Sequence, residues 1–121
     1  MKEVRAYIQP FMLSKVTHAL EKIAGFPGMS MIEIQGFGRG KVRIPGDKVV
    51  REFVPKMRLE VVVKDELVEE VVRTIEKAAH TGNLGDGVIF VINVEQAVRI
   101  RTGERDIAAI RSMRNERKED G

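Results

Sequence analysis

The sequence predicts a single α+β domain in which two helices pack on one face of a four-stranded antiparallel sheet. Three observations carry this prediction. Four short apolar segments have the length and pattern of strands, and two longer ones have apolar residues at helical spacing. These segments follow one another as two βαβ halves, an order that favours this two-layer arrangement. The length of 121 residues suits one domain with one hydrophobic core.

The first half of the chain contains a strand, a helix and a second strand. Residues Lys2–Gln9 alternate apolar and polar side chains, and Pro10 ends this strand. Apolar residues then recur at helical spacing over Leu13–Ala24, and the glycines and proline of residues 25–29 indicate a turn. Alternation resumes over Ser30–Phe37, which predicts the second strand.

A long basic segment, GRGKVRIPGDKVVR, separates the two halves at Gly38–Arg51. Its glycines, its proline and its charges are unsuited to a core strand or helix, so it is predicted to be a loop. Loops of this length inside a compact domain are uncommon and are usually functional or mobile.

The second half repeats the pattern with a strand at Phe53–Val63, a helix from Asp65 to about Ala79, and a strand at Val88–Val94. Asp65 is placed to cap the helix. The last strand is almost continuously apolar, which predicts that it is central in the sheet or covered on both faces. The whole order, βαββαβ, predicts the ferredoxin-like sandwich.

The sheet face away from the helices would leave apolar side chains in water in a lone domain, so self-association is predicted. Residues 1–110 are predicted to form the domain. Residues 111–121 form a charged C-terminal tail.

Composition excludes several classes of function. The absence of cysteine excludes disulfides, thiolate metal sites and cysteine nucleophiles. His18 and His80 lie on different helices without a catalytic partner at motif spacing, so neither an enzyme nor a metal site is expected. The 21 basic residues are interleaved with 18 acidic ones, which predicts a mixed-charge surface with no nucleic-acid partner. No apolar run reaches the roughly 20 residues needed to span a bilayer, so a cytoplasmic protein without membrane insertion is expected.

Two glycine clusters, each near basic residues, indicate an anion site. Residues 36–40 read GFGRG, and residues 81–87 read TGNLGDG. Arg99 and Arg101 share one face if that segment is extended, because alternate side chains point the same way. Each glycine cluster alone is typical of a turn, but the two clusters together with the arginine pair and Lys56 favour phosphate binding.

The same residues resemble the PII signal-transduction family (nitrogen regulatory protein P-II). The resemblance runs from Lys2 to about Ile110 and includes PFML at residues 10–13 and GMSMIEIQGFGRGK at residues 28–41. It continues with FVPKMRLEVVVKDELV at residues 53–68 and TGNLGDGVIFVINVEQAVRIRTGE at residues 81–104.

The resemblance implies a ferredoxin-like homotrimer with its sheets facing inward and with ATP or ADP bound in three clefts between subunits. Ser30, Glu60 and Val62 would then face the adenine and ribose. Lys56 would meet the phosphates, and Arg99 and Arg101 would reach in from the neighbouring subunit. The residues implied to line the cleft are Gly36, Gly38, Arg39, Thr81, Gly85, Asp86 and Gly87.

The implied function is binding and signalling. Nucleotide occupancy would set the conformation of the protruding segment at about residues 38–52, the T-loop of the family, which then docks on a partner. A membrane transporter is the expected partner, with a metabolic enzyme as a second possibility, and the partner would recruit the protein to the membrane. The residues expected to make this contact are Lys41, Val42, Arg43, Ile44, Pro45, Gly46, Asp47 and Lys48.

Three departures from the family pattern change these expectations. Gly40 replaces the usual glutamine that helps to hold Mg²⁺ with 2-oxoglutarate, and Val88 replaces a usual lysine. The segment between Gly38 and Phe53 contains no Tyr or Ser, so it offers no site for uridylylation or serine phosphorylation. We therefore expect weak or no 2-oxoglutarate binding, and a role for Mg²⁺ stays open. The alternative is a CutA-like trimer of the same fold, linked to metal tolerance and without nucleotide signalling.

Overall fold

The computed structural model describes residues 1–36 and 54–110 in full, and the backbone of residues 42–44 and 48–50. Within these residues the chain forms a four-stranded sheet, a two-stranded hairpin, two α-helices and two 3₁₀ turns. In chain order the strands are β1 (Lys2–Ile8), β2 (Ser30–Gly36), β3 (Val42–Ile44), β4 (Lys48–Val50), β5 (Val54–Val63) and β6 (Gly87–Asn93). The helices are α1 (Leu13–Glu21) and α2 (Asp65–Ala79), and the 3₁₀ turns are Pro10–Met12 and Asp106–Ile110.

The four-stranded sheet has the order β2-β5-β1-β6 and is antiparallel throughout. This order, with both helices on one face, confirms the predicted ferredoxin-like βαββαβ class. The predicted tail at residues 111–121 lies outside the described residues.

The core lies between the sheet and the two helices. Val4, Ala6 and Ile8 of β1 are at most 1% exposed, because alternate residues of a strand point to the same side. Both helices contribute a stripe at four-residue spacing, which includes Val71 and Ile75 of α2. Burying each such aliphatic side chain contributes about 1.5–3 kcal/mol. The core positions of β1 and both helices are therefore those expected from the sequence periodicity.

The predicted place of β6 in the sheet is wrong. β6 is an edge strand, and Val88, Phe90, Val91 and Ile92 are each 39–49% exposed. The continuous apolar run of β6 therefore does not reflect a central position in the sheet. Coverage by a helix does not explain it either, because α2 packs mainly over β1 and β5 and leaves both faces of β6 largely exposed. The run instead marks a strand whose two faces both remain available for contact.

The sheet face opposite the helices is less uniformly apolar than the sequence predicts. The strand register places Glu3 and Arg5 of β1 beside Glu60 on this open face. Arg5 Nε lies 2.7 Å from Glu3 Oε2 and 3.5 Å from Glu60 Oε1, and Arg58 Nε lies 2.8 Å from the same Glu60 oxygen. The hydrogen bond to Glu3 is the main cause that raises the pKa of Arg5. The two central strands thus carry an ion-pair cluster, and exposed apolar side chains flank it on β2 and β6.

The predicted long loop contains a hairpin. Val42 pairs with Val50 and Ile44 pairs with Lys48 across the antiparallel strands β3 and β4. Valine and isoleucine favour strands, and the sequence Pro-Gly-Asp at residues 45–47 is typical of a turn, so the local preferences agree with a hairpin. The loop prediction gave too much weight to the charges and glycines.

Both helices begin at the predicted residues, but the cap of α2 and the end of α1 differ from expectation. The N-cap of α2 is Lys64, without a side-chain cap, and Asp65 is the first helical residue. Asp65 Oδ1 accepts a hydrogen bond from the N-terminal ammonium of Met1 at 2.5 Å and lies 3.4 Å from Lys2 Nζ. These two contacts lower the pKa of Asp65. α1 ends at Glu21, three residues before the predicted Ala24. None of the described helices is long and apolar enough to cross a membrane.

Candidate functional site

Three of the predicted site residues meet at one end of the sheet. Lys56 lies near the start of β5, Gly36 ends β2, and Gly85 precedes β6. Lys56 Nζ donates a hydrogen bond to the Gly85 carbonyl. A Cβ atom at Gly36 would lie 3.2 Å from Lys56 Cγ and 3.3 Å from the Val54 carbonyl oxygen. Gly36 therefore leaves room for the lysine side chain to reach the glycine-rich loop.

The glycine-rich loop, residues 81–87, is held together by Asp86. Asp86 Oδ2 accepts hydrogen bonds from the backbone N–H groups of Thr81 at 2.7 Å and Gly82 at 2.8 Å, and the Thr81 hydroxyl donates to the other carboxylate oxygen. These bonds, led by the one from the Thr81 hydroxyl, lower the pKa of Asp86. Asp86 and Thr81, two of the seven residues implied to line the cleft, therefore bond to each other and shape the loop.

Two glycines of this loop are required by the backbone. Gly85 has φ of 94°, and a Cβ there would lie 2.9 Å from Gln9 Nε2. Gly87 has φ of 109°, and a Cβ there would lie 1.7 Å from the Tyr7 carbonyl oxygen. Gly87 therefore permits β6 to begin directly against β1, a requirement that the sequence pattern alone does not reveal.

Gln9 is a further member of the site that sequence analysis missed. Its Nε2 atom donates a hydrogen bond to the Gly85 carbonyl at 2.7 Å, so this one carbonyl accepts from both Gln9 and Lys56. Gln9 directly follows β1. In the sheet, β1 lies between β5, which carries Lys56, and β6, which begins after Gly85. The signal that could have identified it is a polar amide at the end of the central strand, but that requires the strand order first.

A second group of predicted residues lies farther along the open face of the sheet. Ser30 of β2 is paired with Glu60 of β5, and Val62 is two residues further along the same face. Glu60 carries the ion pairs with Arg5 and Arg58 described above. Arg5 and Arg58 were not predicted as site residues, although both form ion pairs with Glu60.

The two arginines expected to share a face do not lie on an extended strand. Residues 100–102 form a turn, and Val98 pairs with Arg105 across it. The Arg99 N–H donates to the Glu104 carbonyl at 2.9 Å, and the Gly103 N–H donates to the Arg99 carbonyl at 2.8 Å. The strand argument for Arg99 and Arg101 is therefore wrong, because Arg101 lies in the turn.

Within one chain, the glycine-rich loop and the arginine turn are connected to opposite ends of β6. The loop precedes β6 and the turn follows it, with Asn93 ending the strand. A strand of this length spans about 20 Å at roughly 3.3 Å per residue. One chain therefore carries two separate groups of predicted site residues at opposite ends of its edge strand.

The remaining predicted residues belong to the segment between β2 and β5. Gly38 and Arg39 lie outside the described residues, as do four members of the expected partner contact, Lys41, Pro45, Gly46 and Asp47. The backbone of the other four lies in the hairpin strands, with Val42, Arg43 and Ile44 on β3 and Lys48 on β4.

A cavity of about 420 Å³ lies between α2 and β6, on the helix side of the glycine-rich loop. Its lining is mainly apolar, and its polar side chains are Tyr7, Glu76, His80 and Asp86. Two carboxylates and no Lys or Arg side chain make this cavity unsuited to phosphate. The cations on the other side of the loop are the better candidates for anion binding.

The sequence matches the family described as nitrogen regulatory protein P-II over residues 1–104. It is 44% identical to nitrogen regulatory protein P-II of Bradyrhizobium diazoefficiens and 47% identical to that of Azospirillum brasilense. It is 45% identical to nitrogen regulatory protein P-II 1 of Escherichia coli. Each of these alignments spans 113 residues, 91% of this chain and 100% of the relative. The chain therefore belongs to the nitrogen regulatory protein P-II family.

Proposed function

We propose that this protein is a signal-transduction protein that binds ATP or ADP in clefts between the subunits of a homotrimer. Proteins of its family are regulators rather than enzymes. The observation that carries the proposal is the separation of its two cationic groups. Lys56 and the glycine-rich loop lie at one end of β6, and Arg99 and Arg101 lie beyond the other end. A second copy of the chain can bring both groups to one phosphate chain.

The exposed surfaces support an assembly of several copies. β6 is an edge strand with apolar side chains on both faces, and Ile32 on the opposite edge strand is 51% exposed. The ion-pair cluster at the centre of the open face contains two acidic and two basic residues, so it can be covered without leaving net charge. The family match, beyond the fold alone, favours this proposal over the CutA-like alternative.

The nucleotide site is tested by calorimetry with ATP and ADP. Charge-assisted hydrogen bonds to phosphate contribute about 1.5–3 kcal/mol each. Replacing both Arg99 and Arg101 by Ala should weaken ATP binding at least tenfold and leave the mass of the assembly unchanged in light scattering. No saturable binding of either nucleotide by the unmodified protein would refute the proposal, and equal affinity of the double variant would place the phosphate site elsewhere.

The partner is proposed to bind the hairpin of β3 and β4, whose surrounding sequence is rich in Lys and Arg. A membrane transporter is the proposed partner, with a metabolic enzyme as the other candidate. The chain contains no cysteine, so Gly46→Cys would give one site for a photo-crosslinker in the sequence between β3 and β4. Crosslinking to a transporter that changes between ATP and ADP would support the proposal. Equal crosslinking from the control Glu69→Cys, on the exposed side of α2, would contradict it.

A further inference from the structure

The Gly85 carbonyl is the meeting point of three structural elements. It belongs to the glycine-rich loop, and it accepts hydrogen bonds from Lys56 on β5 and from Gln9 at the end of β1. A side chain at Gly85 would be strained, since its φ is 94°, and a Cβ would lie 2.9 Å from Gln9 Nε2, so the Gln9 amide would have to shift. The loop is thus held to the sheet by two donors at one oxygen.

The two donors respond differently to an anion. The Lys56 ammonium is a point charge on a flexible stem, and a phosphate attracts it more strongly than a neutral carbonyl does. The Gln9 amide is neutral, so a nearby anion attracts it much less. An anion bound beside the loop would therefore draw away Lys56 and leave Gln9 in place.

We propose that Gln9 is a positioning residue that holds the Gly85 carbonyl when Lys56 moves to the phosphates of a bound nucleotide. This inference rests on the nucleotide-binding function proposed above. Without Gln9, moving the lysine would remove both protein donors from Gly85 and loosen the loop that lines the site. With Gln9, the lysine changes partner while the loop keeps its attachment to β1.

A double-mutant cycle tests this role through the affinity for ATP. Gln9→Met keeps the side-chain length and removes the donor, and Lys56→Met removes the cation. One neutral hydrogen bond contributes about 0.5–1.5 kcal/mol, so Gln9→Met should weaken ATP binding about 2- to 12-fold. In the Lys56→Met background, Gln9 is the remaining donor of the two in both the free protein and the ATP complex. Adding Gln9→Met should then loosen the loop in both states alike and leave the affinity unchanged.

Two further readings separate positioning from a general structural effect. Gln9→Met should retain the ionic-strength dependence of ATP binding, and Lys56→Met should reduce it, because only the lysine carries charge. In the ATP complex, the amide groups of residues 85 and 86 should exchange hydrogen faster in Gln9→Met than in the unmodified protein. The control is Gln35→Met, the same change on the opposite face at this end of the sheet.

The outcomes are distinct. Unmodified protein that binds no ATP overturns the proposed function and this inference with it. ATP binding that Gln9→Met leaves unchanged overturns the inference alone. An equal loss from Gln9→Met in both backgrounds also overturns it, because the effect would then be independent of the lysine.

Discussion

Substitution of Gly87 by Ala tests how closely β6 approaches β1. The added Cβ would lie 1.7 Å from the Tyr7 carbonyl oxygen and 2.8 Å from the Tyr7 carbonyl carbon, both inside any real contact distance. Tyr7 pairs with Arg58 on one side and Val88 on the other, so its backbone cannot move without breaking the sheet ladder. The start of β6 must therefore separate from β1.

The expected cost combines two effects. Forcing extra volume into a packed position costs about 1–3 kcal/mol. A residue with a side chain at positive φ costs a further 1–2 kcal/mol or so. Gly87→Ala should thus lower the free energy of unfolding by about 2–5 kcal/mol, a large part of the roughly 5–15 kcal/mol of a typical domain.

Gly103→Ala is the matched control. Gly103 also has positive φ, 74°, but nothing lies within 4 Å of the position that its Cβ would take. This variant should lose only about 1–2 kcal/mol, the cost of the positive φ alone. Urea unfolding, at equal protein concentration because assembly contributes to stability, measures both variants. Equal losses in the two variants would refute the close approach of Gly87 to Tyr7.

Other predictions concern the loop, the lysine and the keto acid. Hydrogen bonds lower the pKa of Asp86 in the folded protein. The stabilisation that its carboxylate gives to the loop is therefore present above the pKa of the unfolded chain, about 3.9, and is lost as the pH falls through the pKa of the folded protein. Amide protection at Thr81 should therefore fall in acid, and Asp86→Asn should show weak protection throughout; unchanged protection in that variant would contradict the assigned role. Gly36→Ala should displace the Lys56 side chain and weaken ATP binding without lowering stability by more than about 1 kcal/mol, which calorimetry and urea unfolding check. With Gly40 in place of an amide, 2-oxoglutarate should bind weakly or not at all to the Mg²⁺-ATP complex, and Gly40→Gln should restore some binding; micromolar binding by the unmodified protein in calorimetry would overturn this.

The sequence was sufficient for the parts of the fold that depend on periodicity. α2 has the predicted bounds, Asp65 to Ala79, because its apolar stripe is long and regular. The positions of β1, β2 and β5 followed from alternation in the same way. The edge position of β6 could not be predicted, since a continuous apolar run reports burial on both faces and does not report strand order. The hairpin was missed because its short β-branched stretches stand among charges and glycines.

The part of the candidate site that could be predicted is the part where glycine clusters and a basic residue occur together in the sequence. Lys56, Gly36 and Gly85 were predicted and meet at one end of the sheet. Gln9 was missed because its role depends on a contact across 76 residues of sequence. The arginine pair was assigned to an extended segment, although the Thr102-Gly103 sequence after it suits a turn. Long-range contacts and turn geometry are the features that the pattern of one sequence leaves open.

A subunit-mixing experiment tests most directly whether each nucleotide site is shared between two chains. Lys56→Met removes the cation from one group, and Arg99→Ala with Arg101→Ala removes the cations from the other. Each variant alone should bind ATP weakly. When the two are unfolded and refolded together in equal amounts, about a quarter of the clefts should combine two intact groups and regain the unmodified affinity. If both groups served one cleft within a single chain, mixing would restore no site, and calorimetry would show only weak binding.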